Sequence, residues 1–156
     1  MLLEENFNIM KKINNERLKA NYMSWDFKLC NPVTKEVLHT QEKHEISGGT
    51  YCVGGTTEMS LNITYNYSNI INKKMAKLKI GKSDEYFTDK DDYSYADYFN
   101  GKTGAETIEP LNQIIASLKN DVHINYWKAT EGNAKRALYG LLAFARLRPD
   151  GIWKVS

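Results

Sequence analysis

The chain has 156 residues, of which 42% are hydrophobic and 26% are charged, and its formal net charge is +2. This length predicts a single domain that can bury a core without disulfides or structural metals. The small net charge does not indicate a nucleic-acid or membrane partner, and no run of residues is long and apolar enough to cross a bilayer.

Residues 1–24 predict an N-terminal amphipathic helix, because apolar side chains recur at helical spacing among polar ones. These side chains are Leu3, Phe7, Met10, Ile13, Leu18 and Tyr22. The helix either packs on its own domain or serves as an oligomerisation arm for the core at residues 25–156. The first twenty residues contain no secretion signal. Cys30 and Cys52 have no CxxC spacing, which favours a cytoplasmic protein with reduced thiols.

The first half of the core predicts an antiparallel β-meander of about four strands. Residues 25–30 alternate between apolar and polar, residues 36–46 can form the returning strand, and residues 50–53 resume an apolar run. Glycine pairs at 48–49 and 54–55 mark turns or bulges.

The next strand is the most regular of all, with Met59, Leu61, Ile63 and Tyr65 alternating against polar residues. Its polar side carries Asn62, Thr64 and Asn66, which can donate and accept hydrogen bonds without charge. Ser68 predicts an N-cap for a helix that ends near Lys79. Because helix N-termini attract anions, this junction is a candidate ligand site. A solvated strand face with an ordinary helix cap is the alternative.

Residues 83–103 predict the longest irregular stretch. Its acidic, tyrosine-rich part, residues 84–99, alternates carboxylates with aromatic side chains that can dock a loop on the body of the protein. Loops of this length are usually functional or mobile.

Two further helices are predicted near residues 107–118 and 132–147, and residues 152–155 predict a final strand. The sum is an α+β fold, an antiparallel sheet with a C-terminal strand and three helices packed on one face. Lys102 and Thr103 precede the second helix, between two glycines. Tyr126, Trp127, Thr130 and Asn133 precede or begin the third, and Arg136 follows in it.

No motif for catalysis, metal binding or a cofactor is complete. Residues 49–56 approach a phosphate-binding loop, but Gly55 stands where that loop needs lysine. His39, His44 and His123 lack metal-ligand spacing, and neither cysteine has a histidine partner in a known motif. We therefore predict no metal, no cofactor and no catalytic residue.

Each of three predicted helices follows polar residues whose side chains can donate hydrogen bonds to an anion. If their N-termini converge, the resulting pocket suits a phosphorylated ligand that carries an aromatic group, such as a nucleotide. The predicted ligand-binding residues are Asn62, Thr64, Asn66, Lys102, Thr103, Tyr126, Trp127, Thr130, Asn133 and Arg136. Arg136 is a phosphate partner in this hypothesis, and Tyr126 or Trp127 stacks on the base. Capping and core packing are the alternative roles.

Four short motifs resemble a widespread group of small proteins from phages and bacteria. They are Asn62-Ile63-Thr64-Tyr65-Asn66, Gly101-Lys102-Thr103-Gly104, Tyr126-Trp127 and the segment Arg148-Pro149-Asp150-Gly151-Ile152-Trp153-Lys154-Val155-Ser156. Members of the group resemble this chain in two features, a Thr-x-Asn element before a helix and a Pro-Asp-x-x-x-x-Val-Ser-like tail. The likeness covers residues 57–156 and carries over no catalytic residues. It implies a phage or mobile-element context, in which small binding proteins counter host defence.

Together these features predict a non-enzymatic, homo-oligomeric protein in the cytoplasm of an infected bacterium. It would sequester a nucleotide-derived signal, a cyclic nucleotide or an ADP-ribose derivative. A protein-interaction module that inhibits a host factor through the acidic loop, and a small nucleotide-modifying enzyme, are the alternatives.

Overall fold

The computed structural model describes residues 23–48, 50–81 and 94–156. Almost all of the predicted N-terminal helix and most of the acidic loop lie outside these ranges. Within them, five strands and four α-helices form an α+β fold with antiparallel sheets, which confirms the predicted class.

The core sheet has three antiparallel strands with β1 (Ser24–Cys30) in the centre. β4 (Ser60–Thr64) pairs with one edge of β1, and β5 (Ile152–Val155) pairs with the other. One face of β1 is fully buried at Phe27 and Leu29, while Asp26 and Lys28 on the other face are exposed. This period of two is the alternation that predicted the strand.

The hairpin consists of β2 (His39–Ser47) and β3 (Thr50–Glu58), which form a separate two-stranded sheet. The predicted single meander is therefore wrong. Gly54 and Gly55 do not end a strand, because their positive φ angles of 83° and 73° let β3 bulge and continue.

The physical reason for the separate hairpin is the pattern of β2, which has no buried residue on either side. Such a strand cannot lie in the centre of a sheet that covers a core. The chain instead passes through a short junction, where Leu38 N donates to Leu29 O at 2.8 Å and Met59 N donates to Leu38 O at 2.8 Å. β4 then takes the place beside β1, because it has the apolar face that β2 lacks.

Four helices pack with the core sheet around one hydrophobic cluster. They are α1 (Ser68–Leu78), α2 (Tyr95–Phe99), α3 (Gly104–Ser117) and α4 (Glu131–Leu147). Three of them confirm the predicted helices to within three residues at their starts. The short helix α2 lies in the stretch predicted to be irregular, where a capping box joins Ser94 and Asp97.

The junction between β4 and α1 also differs from the prediction. The strand ends at Thr64, whose hydroxyl accepts a hydrogen bond from Asn66 N at 3.2 Å and starts a 3₁₀ turn at Tyr65–Tyr67. Ser68 is the first residue of α1 rather than its cap, and its hydroxyl accepts a hydrogen bond from Trp25 Nε1. The polar ladder is therefore divided between a strand and a helical turn.

Replacing Tyr95 with phenylalanine is expected to leave the free energy of unfolding unchanged or raise it by about 1 kcal/mol. The Tyr95 ring stacks on Phe27, but its buried hydroxyl has no hydrogen-bond partner among the described residues. An unsatisfied buried polar group costs about 1–3 kcal/mol, so its removal relieves that penalty. Urea unfolding measures the effect. Tyr67→Phe is the control, because it removes a hydroxyl that does donate, to Tyr126 O, and is expected to destabilise. Equal losses in both variants would contradict the assignment.

A candidate ligand site beside the 119–130 loop

The 119–130 loop joins α3 to α4, and Asn133 holds it in place. Asn133 is 2% exposed, and its side chain makes three hydrogen bonds to the loop backbone. Its Oδ1 accepts from His123 N at 2.9 Å, and its Nδ2 donates to Asn125 O at 3.1 Å and Lys128 O at 3.0 Å. One buried amide thus fixes the path of the loop.

The first turn of α4 provides a second set of contacts. Gly132 N donates to Asp121 Oδ1 at 2.9 Å, and Asn133 N donates to Thr130 Oγ1 at 3.1 Å. The chain itself therefore satisfies these N–H groups, which a helix N-terminus otherwise offers to an anion. Thr130 and Asn133, both predicted ligand residues, make these hydrogen bonds to the loop and the helix start.

The 3₁₀ turn docks against the loop from the other side. Asn66 Nδ2 donates to Trp127 O at 2.7 Å, and the Tyr67 hydroxyl donates to Tyr126 O. The rings of Tyr126 and Trp127 lie 4.5 Å apart at 35°, and both are half-buried. A rigid aromatic pair therefore stands at the surface next to an amide side chain.

Arg136 and an ion pair complete this surface. The pKa of Tyr67 is raised to about 12, mainly by burial and also by Tyr126, while the Arg136 guanidinium lowers it. Lys74 of α1 lies 3.3 Å from Glu131 at the start of α4. Asn66, Tyr126, Trp127 and Arg136 thus share one surface, which we call the aromatic surface. Tyr67 was not among the predicted site residues, although its place beside Asn66 in the sequence was a usable signal.

Lys102 and Thr103 lie outside the aromatic surface, at the start of α3. A Cβ added to Gly104, at the start of α3, would be 2.7 Å from Arg148 O, at the end of α4. At the opposite end, Lys119 N donates to Glu131 Oε1. The two helices are therefore antiparallel. The predicted convergence of three helix N-termini is therefore wrong for α3.

The segment around Lys102 is joined to the C-terminal strand. Gly101 N donates to Trp153 O at 2.8 Å, and Trp153 N donates to Lys102 O at 2.9 Å. Thr103 caps α3 through a capping box with Glu106, and the hydrogen bond from Thr103 N lowers the pKa of that carboxyl group. Two of the motifs in the resemblance therefore pair with each other, which gives them a structural role.

The side chains of Asn62 and Thr64 lie in different environments. Thr64 is 2% exposed, whereas Asn62 is exposed on the outer face of β4 and donates to Asp26 Oδ1 at 2.8 Å. Asn62 lines a groove of about 180 Å³ between the sheet and the hairpin, together with Asp26, Lys28 and Glu58. Two carboxylates against one ammonium group make this groove a poor site for phosphate. The groove could not be predicted from the sequence, because the position of the hairpin depends on the bulges in its strands.

Comparison of the chain with protein-family models, with curated proteins and with solved structures found no match. In the described part of the chain, no three His, Cys, Asp or Glu side chains are grouped so that they could hold a metal ion. No helix within the same ranges is long and apolar enough to cross a membrane. A function for this protein therefore rests on its own geometry and chemistry.

Proposed function

We propose that this protein binds a nucleotide-like small molecule on the aromatic surface and sequesters it without chemical change. The observation that carries the proposal is the hydrogen bond from Asn66 to Trp127 O, because it joins segments that are 61 positions apart in the chain. It brings the Asn66 amide to the loop that carries Tyr126 and Trp127, and Arg136 follows in the helix after that loop. These are the groups that bind the polar edges, the base and the phosphate of a nucleotide.

Each group has a distinct part in the proposed binding. The ring of Trp127 or Tyr126 stacks on the base, since a half-buried ring loses little entropy when it is covered. Arg136 donates to phosphate oxygens in the two-pronged geometry that lysine cannot provide. The Tyr126 hydroxyl is protonated at neutral pH, as that of an ordinary tyrosine is, and can donate to the ligand.

We propose sequestration rather than turnover. The Tyr67 hydroxyl supports this proposal because it donates to Tyr126 O, which gives this tyrosine a role in positioning the loop. In the phage context that the resemblance implies, the ligand is a host immune signal that a homo-oligomer binds in the bacterial cytoplasm.

Calorimetry with a panel of cyclic mononucleotides, cyclic dinucleotides and ADP-ribose derivatives tests the proposal. We expect heat from at least one compound, and chromatography after denaturation should recover that compound intact. An altered compound would favour the enzyme alternative. No heat from any member of the panel would overturn nucleotide binding.

Replacing Arg136 with glutamine is expected to weaken nucleotide binding at least tenfold, which corresponds to about 1.4 kcal/mol. The loss reflects a missing charge-assisted hydrogen bond to phosphate. Arg146→Gln is the matched control, because Arg146 is exposed on the same helix and donates to Asn112 Oδ1, at the opposite end from the loop. Asn62→Ala provides a second control on the other side of the sheet. Equal affinities of the Arg136 and Arg146 variants would remove Arg136 from the site.

A protein partner is the second candidate, and the exposure of two side chains favours it. Ile124 is 100% exposed and Val122 is 51% exposed, although both belong to the loop that Asn133 holds in place. A rigid loop with exposed aliphatic tips can act as a small anchor in a pocket of another protein. If Val122→Ser with Ile124→Ser leaves nucleotide binding intact, the two surfaces are separate.

A further inference from the structure

Charge is distributed unevenly over this protein, and the small net charge conceals it. Segments 68–81 and 119–136 together contain eight Lys or Arg residues and two acidic residues, Asp121 and Glu131. The whole chain has 21 basic and 19 acidic residues, so the remainder of the chain is acidic. Both acids in these segments already have partners, since Asp121 binds Gly132 N and Glu131 binds Lys74.

The fold brings the two segments to one side of the molecule. α1 buries Ile71 and Met75 in the core, and Lys74 forms an ion pair with Glu131 at the start of α4. Lys77 is exposed one helical turn after Lys74, and Lys73 is exposed four positions before Lys77, so these lysines are neighbours on the solvent side of α1. We define the basic face by its side chains, which are Lys73, Lys74, Lys77, Lys119, Lys128 and Arg136.

The aromatic surface adjoins this basic face and shares Arg136 with it. Lys128 follows Trp127 in the loop, and Tyr139, which is 51% exposed, lies one helical turn beyond Arg136. Cations beside partly exposed rings are the combination that binds single-stranded nucleic acid, in which the rings stack on bases and the cations bind the phosphates.

We propose that the basic face binds single-stranded nucleic acid, with the bases on Tyr126 and Trp127 and several phosphates along α1 and α4. This inference rests on the proposed nucleotide site and extends its ligand to a chain of nucleotides. A single strand is favoured over a duplex because the paired bases of a duplex cannot stack on side chains. An anionic membrane is a poorer fit, because the apolar side of α1 is buried at Ile71 and Met75.

Fluorescence anisotropy with a labelled oligothymidylate of about 16 nucleotides tests this inference, since that length spans the largest single-domain sites. Raising NaCl from about 50 to 200 mM should weaken binding by roughly tenfold or more, because each phosphate contact adds about −0.7 to the slope of log K against log salt. The Lys73→Gln, Lys77→Gln double variant should bind about tenfold more weakly and reduce that slope by about 1.4.

The Lys43→Gln, Lys154→Gln double variant is the matched control, because both lysines are exposed and belong to β2 and β5, outside the basic face. It removes the same charge and should bind like the unchanged protein. Equal weakening in both double variants would overturn the assignment to this face. Binding of a duplex as tightly as the single strand, or binding of phosphatidylserine vesicles without the oligonucleotide, would overturn the choice of partner.

Failure of this inference can be told apart from failure of the proposed nucleotide site. If a mononucleotide binds in an Arg136-dependent manner and the oligonucleotide binds no more tightly, the extension to a strand is wrong and the nucleotide site stands. If neither binds, both are wrong. Oligonucleotide binding that depends on Lys73, Lys77 and Tyr126 supports the inference.

Discussion

Replacing Gly132 with alanine is expected to destabilise the protein by roughly 2–3 kcal/mol, although alanine is the better helix former by about 1 kcal/mol. A Cβ at this position would lie 2.5 Å from Val122 N and 2.6 Å from Asp121 C. Both atoms belong to the backbone of the 119–130 loop, which Asn133 and Asp121 hold against α4. The loop cannot retreat without losing those hydrogen bonds. Urea unfolding measures the loss.

Gly140→Ala in the same helix is the control. A Cβ at Gly140 would meet side-chain atoms of Ile46 and Leu61 at 3.1 Å, and these can shift by a few tenths of an ångström. The gain in helix propensity and the small overpacking should nearly cancel, leaving a change within about 1 kcal/mol. If Gly132→Ala is as stable as Gly140→Ala, the loop does not lie against α4 as described.

Replacing Asn133 with alanine should destabilise the protein by about 2–4 kcal/mol. The change removes three side-chain hydrogen bonds at a site that is 2% exposed, and a buried backbone group left without its partner costs about 1–3 kcal/mol. Some of the freed loop groups reach water, which keeps the total below the sum of three full penalties. Denaturant unfolding gives the energy, and hydrogen exchange should show faster exchange at His123 N.

The same variant should weaken nucleotide binding, because the loop that Asn133 holds also carries Tyr126 and Trp127. Asn69→Ala is the control, since Asn69 is an exposed asparagine on α1. It should change the free energy of unfolding by less than about 0.5 kcal/mol. A stable Asn133→Ala protein with slow exchange at His123 N would show that the amide does not hold the loop.

Periodicity in the sequence predicted most of the regular structure. The strands at residues 25–30 and 152–155 and the helices now labelled α1, α3 and α4 all have an apolar side at the correct period. That signal is local, because each element carries its own pattern wherever it packs. The short helix α2 was missed, since five residues are too few to show a period and only Ser94 and Asp97 marked its start.

The candidate site was predictable only as a set of polar residues. The predicted ligand residues included Asn66, Tyr126, Trp127 and Arg136, but also Lys102 and Thr103, which lie at the other end of α3. Residues before helix N-termini look alike in a sequence whether they face a ligand or cap their own helix. The direction in which each helix runs decides which of these residues meet.

The sequence by itself determined the α+β class, the positions of the main helices and strands, and the amphipathic pattern that gives each element its buried side. Only the tertiary structure decided that β4 replaces β2 beside β1, that α3 and α4 run antiparallel, and that Lys74 of α1 lies beside Glu131 at the start of α4. The reason is that pairing and helix direction depend on contacts between residues far apart in the chain. The local spacing of residues does not determine those long-range contacts.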